Sequence, residues 1–225
     1  MRGVYFFPFT PVFVIGLFFL LIFLFIFIQV GLIGYAYERI GMAAHWILPL
    51  LLLSLLGSAI NIPLTQVRSG PVVSRQVVHF FGMRYVIPIV EQRQPTVIAI
   101  NVGGAIVPTL ISLFLLVSSG LFVQGVLGTV IVTAVVYQLA RPIAGVGIGV
   151  PMFVPPLIAA VIGLTLAPEQ APALAYMAGT LGCLIGADLL NVHRIADLGA
   201  PVASIGGAGT FDGIFFTGIL AVLLT

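Results

Sequence analysis

Lysine is absent from this 225-residue chain, and charge of either sign is scarce: eight arginines and six acids make up 6% of the residues. A soluble domain carries roughly 25% charged side chains, so a water-wetted globule is excluded. Intrinsic disorder is excluded too, because it needs high charge and low hydrophobicity. The single cysteine, Cys183, rules out an intramolecular disulfide framework and any cysteine-rich metal site. The arginines are scattered without aromatic-basic clusters, which argues against nucleic acid as a partner. No His-Glu-x-x-His is present, as a zinc metalloprotease would need, and no Gly-x-Ser-x-Gly elbow marks a serine nucleophile. Nothing in the composition calls for a cofactor or a metal.

What is abundant is apolar length. Hydrophobic residues make up 61% of the chain and mean hydropathy is +1.28. Long unbroken apolar runs point to an all-α, polytopic transmembrane bundle; a membrane barrel would show alternating segments of about ten residues. The run from Phe6 to Val30 is too long for a signal-peptide core of about 7–15 residues, and no small-x-small cleavage site follows it. It reads as a first spanning helix.

Seven spans are expected, at about residues 11–37, 43–60, 96–118, 121–140, 150–166, 171–190 and 206–224. The second stops at Asn61-Ile62-Pro63, since proline disfavours helix in the residue before it. Arg2, Arg68, Arg75, Arg84, Arg93, Arg141 and Arg194 then share one side and Arg39 stands alone on the other. Positive charge collects on the cytoplasmic side, so the N-terminus is expected there, in a prokaryotic inner membrane. The chain reads as one integral membrane domain, 1–225, with a cytoplasmic, β-rich insertion at 61–95. Segments 72–81 and 85–90 are β-branched and aromatic, and Gly82-Met83-Arg84 would turn a hairpin at the interface. Such an element is either a loop packed on helix ends or a strand edge for an extended peptide.

An ionisable group inside a span is costly and marks a functional site. Asp188 ends the sixth span and Asp212 opens the seventh, so two oppositely running helices bring them to similar depth near the cytoplasmic face. Gly186, Gly207, Gly209 and Gly213 surround them and let helices or a peptide backbone come close. Two adjacent carboxylates cannot both ionise cheaply. Such a dyad activates a water with one member and protonates a leaving amine with the other. Asn101, beside Gly103-Gly104, is a further polar spot that would orient the pair or bind substrate, or else form an interhelical hydrogen bond.

These residues carry two resemblances. Thr96–Gly104, Arg141–Ile148 and Gly179–Thr225, with Gly186-Ala187-Asp188-Leu189-Leu190-Asn191 and Ile205-Gly206-Gly207-Ala208-Gly209-Thr210-Phe211-Asp212-Gly213 inside the last, resemble an uncharacterised prokaryotic multi-pass membrane family, a domain of unknown function. At motif level Gly186-Ala187-Asp188 is similar to the Gly-x-Gly-Asp signature of intramembrane aspartyl proteases such as presenilin, signal peptide peptidase and prepilin peptidase. Ala187 stands where that signature has its second glycine, and Pro172-Ala173-Leu174 precedes the sixth span rather than following the aspartates. The resemblance implies an aspartyl protease that cleaves transmembrane segments, with Asp188 and Asp212 catalytic and Gly186, Gly207, Gly209, Gly213 and Asn101 at the substrate. The lipid bilayer and a transmembrane peptide are its expected partners.

The rival from another class is a small ion or solute transporter or channel using the same aspartates. Gly145-Val146-Gly147-Ile148-Gly149 has a filter-like glycine rhythm, and Pro151, Pro155 and Pro156 break the fifth span, as transporter helices are broken. It would be marked by an inverted internal repeat, and none is evident. His193 and Asp197 are spaced to share a helical face near Asp188, which is too few ligands for a metal site.

Overall fold

The computed structural model describes residues 11–67, 72–80, 83–91, 95–143, 147–194, 202–207 and 213–225, with backbone alone over 11–13, 72–91 and 147. Seven α-helices and seven strands are described. They are α1 (Pro11–Arg39), α2 (Ala44–Gly57), β1 (Asn61–Val67), β2 (Val72–Phe80), β3 (Met83–Glu91), β4 (Thr96–Asn101), α3 (Val107–Ser119), α4 (Phe122–Leu139), β5 (Arg141–Ile143), β6 (Gly147–Gly149), α5 (Val154–Leu166), α6 (Ala171–Cys183), β7 (Val202–Ile205) and α7 (Gly213–Leu223). Two π-turns extend the helices, Val102–Ile106 into α3 and Leu184–Leu189 out of α6.

Four helical stretches are long and apolar enough to cross a membrane: Val14–Arg39, Val102–Ser119, Phe122–Leu139 and Pro168–Arg194. These are the build of a membrane protein. The other helices, α2, α5 and α7, have 14, 13 and 11 residues. At about 1.5 Å per residue they reach only about 17–21 Å, short of a hydrocarbon core about 30 Å thick.

α6 is the axis of the bundle, packed by α3, α4, α5 and α7. Its sequence explains why. Ala173, Ala175, Ala178, Gly179 and Gly182 keep it slender, so neighbouring backbones come close. A Cβ on Gly182 would lie 2.5 Å from the Val132 Cβ of α4, and one on Gly179 would lie 3.1 Å from the Ala159 Cβ of α5. By contrast α1 is exposed along residues 14–32 and joins the core only near its end, through Ala36 and Tyr37, with Ile40 just beyond it.

Three strands form one small sheet in the order β1–β4–β7. β1 runs antiparallel to β4, from Asn61↔Asn101 to Val67↔Thr96, with a bulge between Pro63 and Thr65, where proline cannot donate to the ladder. β4 runs parallel to β7, from Val97↔Val202 to Ile100↔Ile205. The crossover that a parallel pair needs is the whole stretch from α3 to α6. Each strand adjoins one apolar helix: α2 leads into β1, β4 leads into α3, and β7 precedes α7.

Two expected boundaries change. The third span does not begin at 96: Thr96–Asn101 is a strand, because its β-branched residues fit the sheet centre and Asn101 breaks the apolar run. The seventh helix does not begin at 206, because Gly206 and Gly207 take positive φ (85° and 89°) that no helix uses; its described residues are Gly213–Leu223. The β-rich element at 61–95 is present but divided. β2 and β3 pair only with each other, from Val72↔Glu91 to Phe80↔Met83, while β1 pairs outside the segment with β4. Of the expected turn Gly82-Met83-Arg84, Met83 and Arg84 instead belong to β3, paired with Phe80 and His79, and Gly82 lies outside the described residues. On either side of residues 144–146, β5 and β6 pair antiparallel, from Arg141↔Gly149 to Ile143↔Gly147.

Candidate functional site

Asp188 sits in the π-turn that ends α6. The widened turn is fixed by Leu190 N–H donating to Ile185 O at 3.0 Å, and by the Asn191 side chain. Asn191 Nδ2 donates to Gly186 O (2.9 Å) and Ala187 O (3.0 Å), two carbonyls that the disrupted ladder leaves available. π-turns within helices occur frequently at functional sites. Asn191 is fully buried, and its Oδ1 has no hydrogen-bond partner among the described residues.

The half-buried Asp188 carboxylate is held from the sheet side. Gly206 N–H, one residue past β7, donates to Asp188 Oδ2 at 2.7 Å. Gly206 packs against the second π-turn so closely that a Cβ on Gly104 would strike the Gly206 carbonyl. That turn is capped by Asn101, whose Oδ1 accepts from Gly104 N–H at 2.7 Å. Asn101 Nδ2 donates to Ser58 O (2.7 Å) and Asn61 Oδ1 (3.0 Å), and Ser204 Oγ donates to the same Asn61 oxygen at 2.5 Å. A polar seam therefore joins all three strands at the end of the sheet that carries both π-turns.

The expected site residues fall into different places. Asp188 is in this seam. Asp212 and Gly209 lie outside the described residues. Gly207 follows Gly206 in the positive-φ turn, its N–H donating to Ser204 O at 3.2 Å. Gly213 is exposed at the first position of α7. Gly186 packs against α4: a Cβ there would lie 2.7 Å from Thr133 O. Asn101 is 1% exposed, and both its side-chain oxygen and its nitrogen are engaged within the seam. His193 is exposed, and Asp197 lies outside the described residues.

The seam contains residues that sequence reasoning missed, Asn61, Ser204 and Asn191. Sequence offered one usable signal, a polar residue at each end of a β-branched run. A second buried polar group was also missed: the hydroxyls of Tyr37 and Ser54 lie beside each other, as do those of Tyr176 and Thr180.

α6 and α7 pack against each other in antiparallel fashion. Thr217 Oγ1 meets Cys183 Sγ at 4.0 Å, and a Cβ on Gly179 would lie 3.7 Å from the Ala221 Cβ. Cys183 precedes Asp188 by five residues, and Thr217 follows Asp212 by five.

Residues 55–224 match the model of one protein family, described as "Protein of unknown function (DUF1614)". Neither the curated proteins nor the solved structures provide a match.

Proposed function

We propose, for a chain that belongs to the DUF1614 family, an intramembrane aspartyl protease in which Asp188 and Asp212 form the dyad. The observation that carries the reading is Asp188 itself, a carboxyl near the end of a long apolar helical stretch, whose Oδ2 accepts from Gly206 N–H. α7, which follows Asp212 directly in the sequence, packs antiparallel on the same helix through Thr217 and Cys183.

The chemistry follows from two carboxyls sharing one proton. The ionised member takes a proton from a bound water, which attacks the carbonyl carbon of the scissile amide. The protonated member hydrogen-bonds the developing oxyanion and then supplies the proton that lets the amine leave. The Gly206 amide fixes one Asp188 oxygen, so the carboxyl keeps one orientation. The substrate is a transmembrane segment, unwound locally so that its amide reaches the dyad. Its freed amides need hydrogen-bond partners in a dry site, and the outer edges of β1 and β7 supply backbone groups of that kind. The topology that accompanies this reading is a prokaryotic inner membrane with a cytoplasmic N-terminus and seven spans, of which those built on α2, α5 and α7 cross only together with the segments that flank these shorter helices.

The test uses purified full-length protein in liposomes with single-span peptides, read by mass spectrometry of the cut. Asp188→Asn and Asp212→Asn should each lower the cleavage rate by at least about a hundredfold, the scale of general acid–base catalysis, while both variants remain folded. Activity should follow a bell-shaped pH profile, since only the singly protonated pair works. Undiminished cleavage in the double variant overturns the reading. Solute flux that depends on Asp188, with no cleavage, replaces it with the transporter alternative.

A further inference from the structure

A groove of about 570 Å³ runs along the lipid-facing side of the bundle between α1, α2 and α7. Its walls are Phe25–Ile33 of α1, Leu51 and Leu55 of α2, and Phe215–Leu223 of α7. Each long wall covers about 12 Å, or just over two helical turns. The groove exists because α1 leaves the bundle below Ile33: residues 14–32 are exposed, and the helix rejoins the core only through Ala36 and Tyr37.

Two features say what fills it. The first is Gln29, the sole polar side chain among the lining residues, exposed on α1 ten residues from Arg39. No side-chain hydrogen bond is made by Gln29 among the described residues. A lipid tail offers an amide neither donor nor acceptor, whereas a polypeptide helix with a polar side chain offers both. The second is continuity with the candidate site. The groove begins at Phe215 and Phe216, beside Thr217, which meets Cys183 on α6 five residues before Asp188. Arg39 and Thr225 line one cavity at the C-terminal ends of α1 and α7, so the two helices run side by side and the groove leads along α7 towards its start.

We infer that this groove is the lateral docking site for one transmembrane helix of the substrate, and that Gln29 selects a helix carrying an amide or hydroxyl side chain near its middle. The inference rests on the protease reading for the identity of the helix as substrate. The physics of the groove stands on its residues alone. Docked there, about two turns of the guest helix lie against α7, and its continuation passes the first turn of α7 towards the end of α6 that carries Asp188.

The experiment separates the two claims. A photo-crosslinking residue is placed at Ile26 or Ile219 in the groove, and at Phe19 on the exposed part of α1 as a control, in full-length protein carrying Asp188→Asn so that nothing is cut. The probes are a single-span polyleucine peptide and the same peptide with one central Asn, in liposomes. The expected result is crosslinking to the Asn peptide at positions 26 and 219, and little at 19. The Asn peptide should exceed the all-leucine peptide by about three- to tenfold, and Gln29→Leu should erase that advantage without lowering crosslinking of the all-leucine peptide. Crosslinks only to lipid, or only to a second copy of this chain, overturn the inference, as does equal labelling at position 19. Crosslinking as expected with no cleavage by the wild-type chain leaves the docking site standing and removes the protease. Cleavage without groove crosslinking does the reverse.

Discussion

Gly206→Ala should be among the most damaging single-methyl additions in this protein, for a reason that can be split into two parts. Gly206 has φ of 85°, a conformation that costs an alanine about 1–2 kcal/mol. Its new Cβ would also lie 2.5 Å from the Ala105 Cβ and 2.6 Å from the Ala105 amide nitrogen. The neighbours are backbone and a Cβ, so neither can swing aside, and relief requires moving a strand end against a π-turn. Overpacking of this kind costs about 1–3 kcal/mol, for a total of about 2–5 kcal/mol. Gly41→Ala is the matched control, because Gly41 has φ of 86° but nothing within 4 Å of the position its Cβ would take, so it should show the conformational part alone, about 1–2 kcal/mol. Cys183, the sole cysteine and buried in α6, provides the assay. Its reaction with a thiol-specific fluorophore during heating in detergent marks unfolding. Equal losses of stability for the two variants would refute the reasoning, since the contact between the sheet end and the π-turn would then contribute nothing.

Asn101→Ala removes the amide nitrogen that ties β4 to Ser58 and β1 and the amide oxygen that caps the π-turn, and leaves the Gly104 N–H, Ser58 O and Asn61 Oδ1 to find other partners. The expected loss is about 2–4 kcal/mol, from one or two unsatisfied buried groups, read by the same thiol assay. Gly182→Val places a branched side chain where a single Cβ already lies 2.5 Å from Val132. It should destabilise by at least about 1–3 kcal/mol, and Val132→Ala should recover part of that loss, which a double-mutant cycle measures.

The parts of this architecture that could be read from the sequence are those set by apolar length. α1, α4 and α6 follow from runs that only a membrane-embedded helix explains. The hairpin β2–β3 follows from β-branched segments flanking Gly82. The strand Thr96–Asn101 was not legible as a strand, since a fully buried strand and a buried helix share one signature, an unbroken apolar run. The deciding feature is its partner β7, which lies more than a hundred residues later. Asp188 was legible by the rule that intramembrane acids are costly, yet its hydrogen bond to Gly206 was not. Nor was the Ser204–Asn61 bond, between residues 143 positions apart, because no local pattern records a contact made through a crossover. The glycines were legible as sites of close approach but not by destination: Gly186 meets a helix, and Gly206 meets a turn. The amphipathic signal gave little help throughout, since a helix facing lipid on one side and apolar neighbours on the other has no polar face to reveal its orientation.

The π-turn at Leu184–Leu189 also makes residue number, apart from residue identity, a determinant of where Asp188 points. A π-turn accommodates a surplus residue within a helix. The wider turn absorbs the angle of that residue, whereas a residue added to the ordinary helix before it, between Ala171 and Cys183, has no such relief and rotates everything after it by about 100°. That rotation carries the carboxylate away from the Gly206 amide while changing no side chain at the seam. A single insertion in α6 is thus a sharper perturbation than most substitutions there. An insertion at Ala167, between α5 and the helical stretch that opens at Pro168, leaves the aim untouched, because the number of residues from the start of α6 to the aspartate is unaltered.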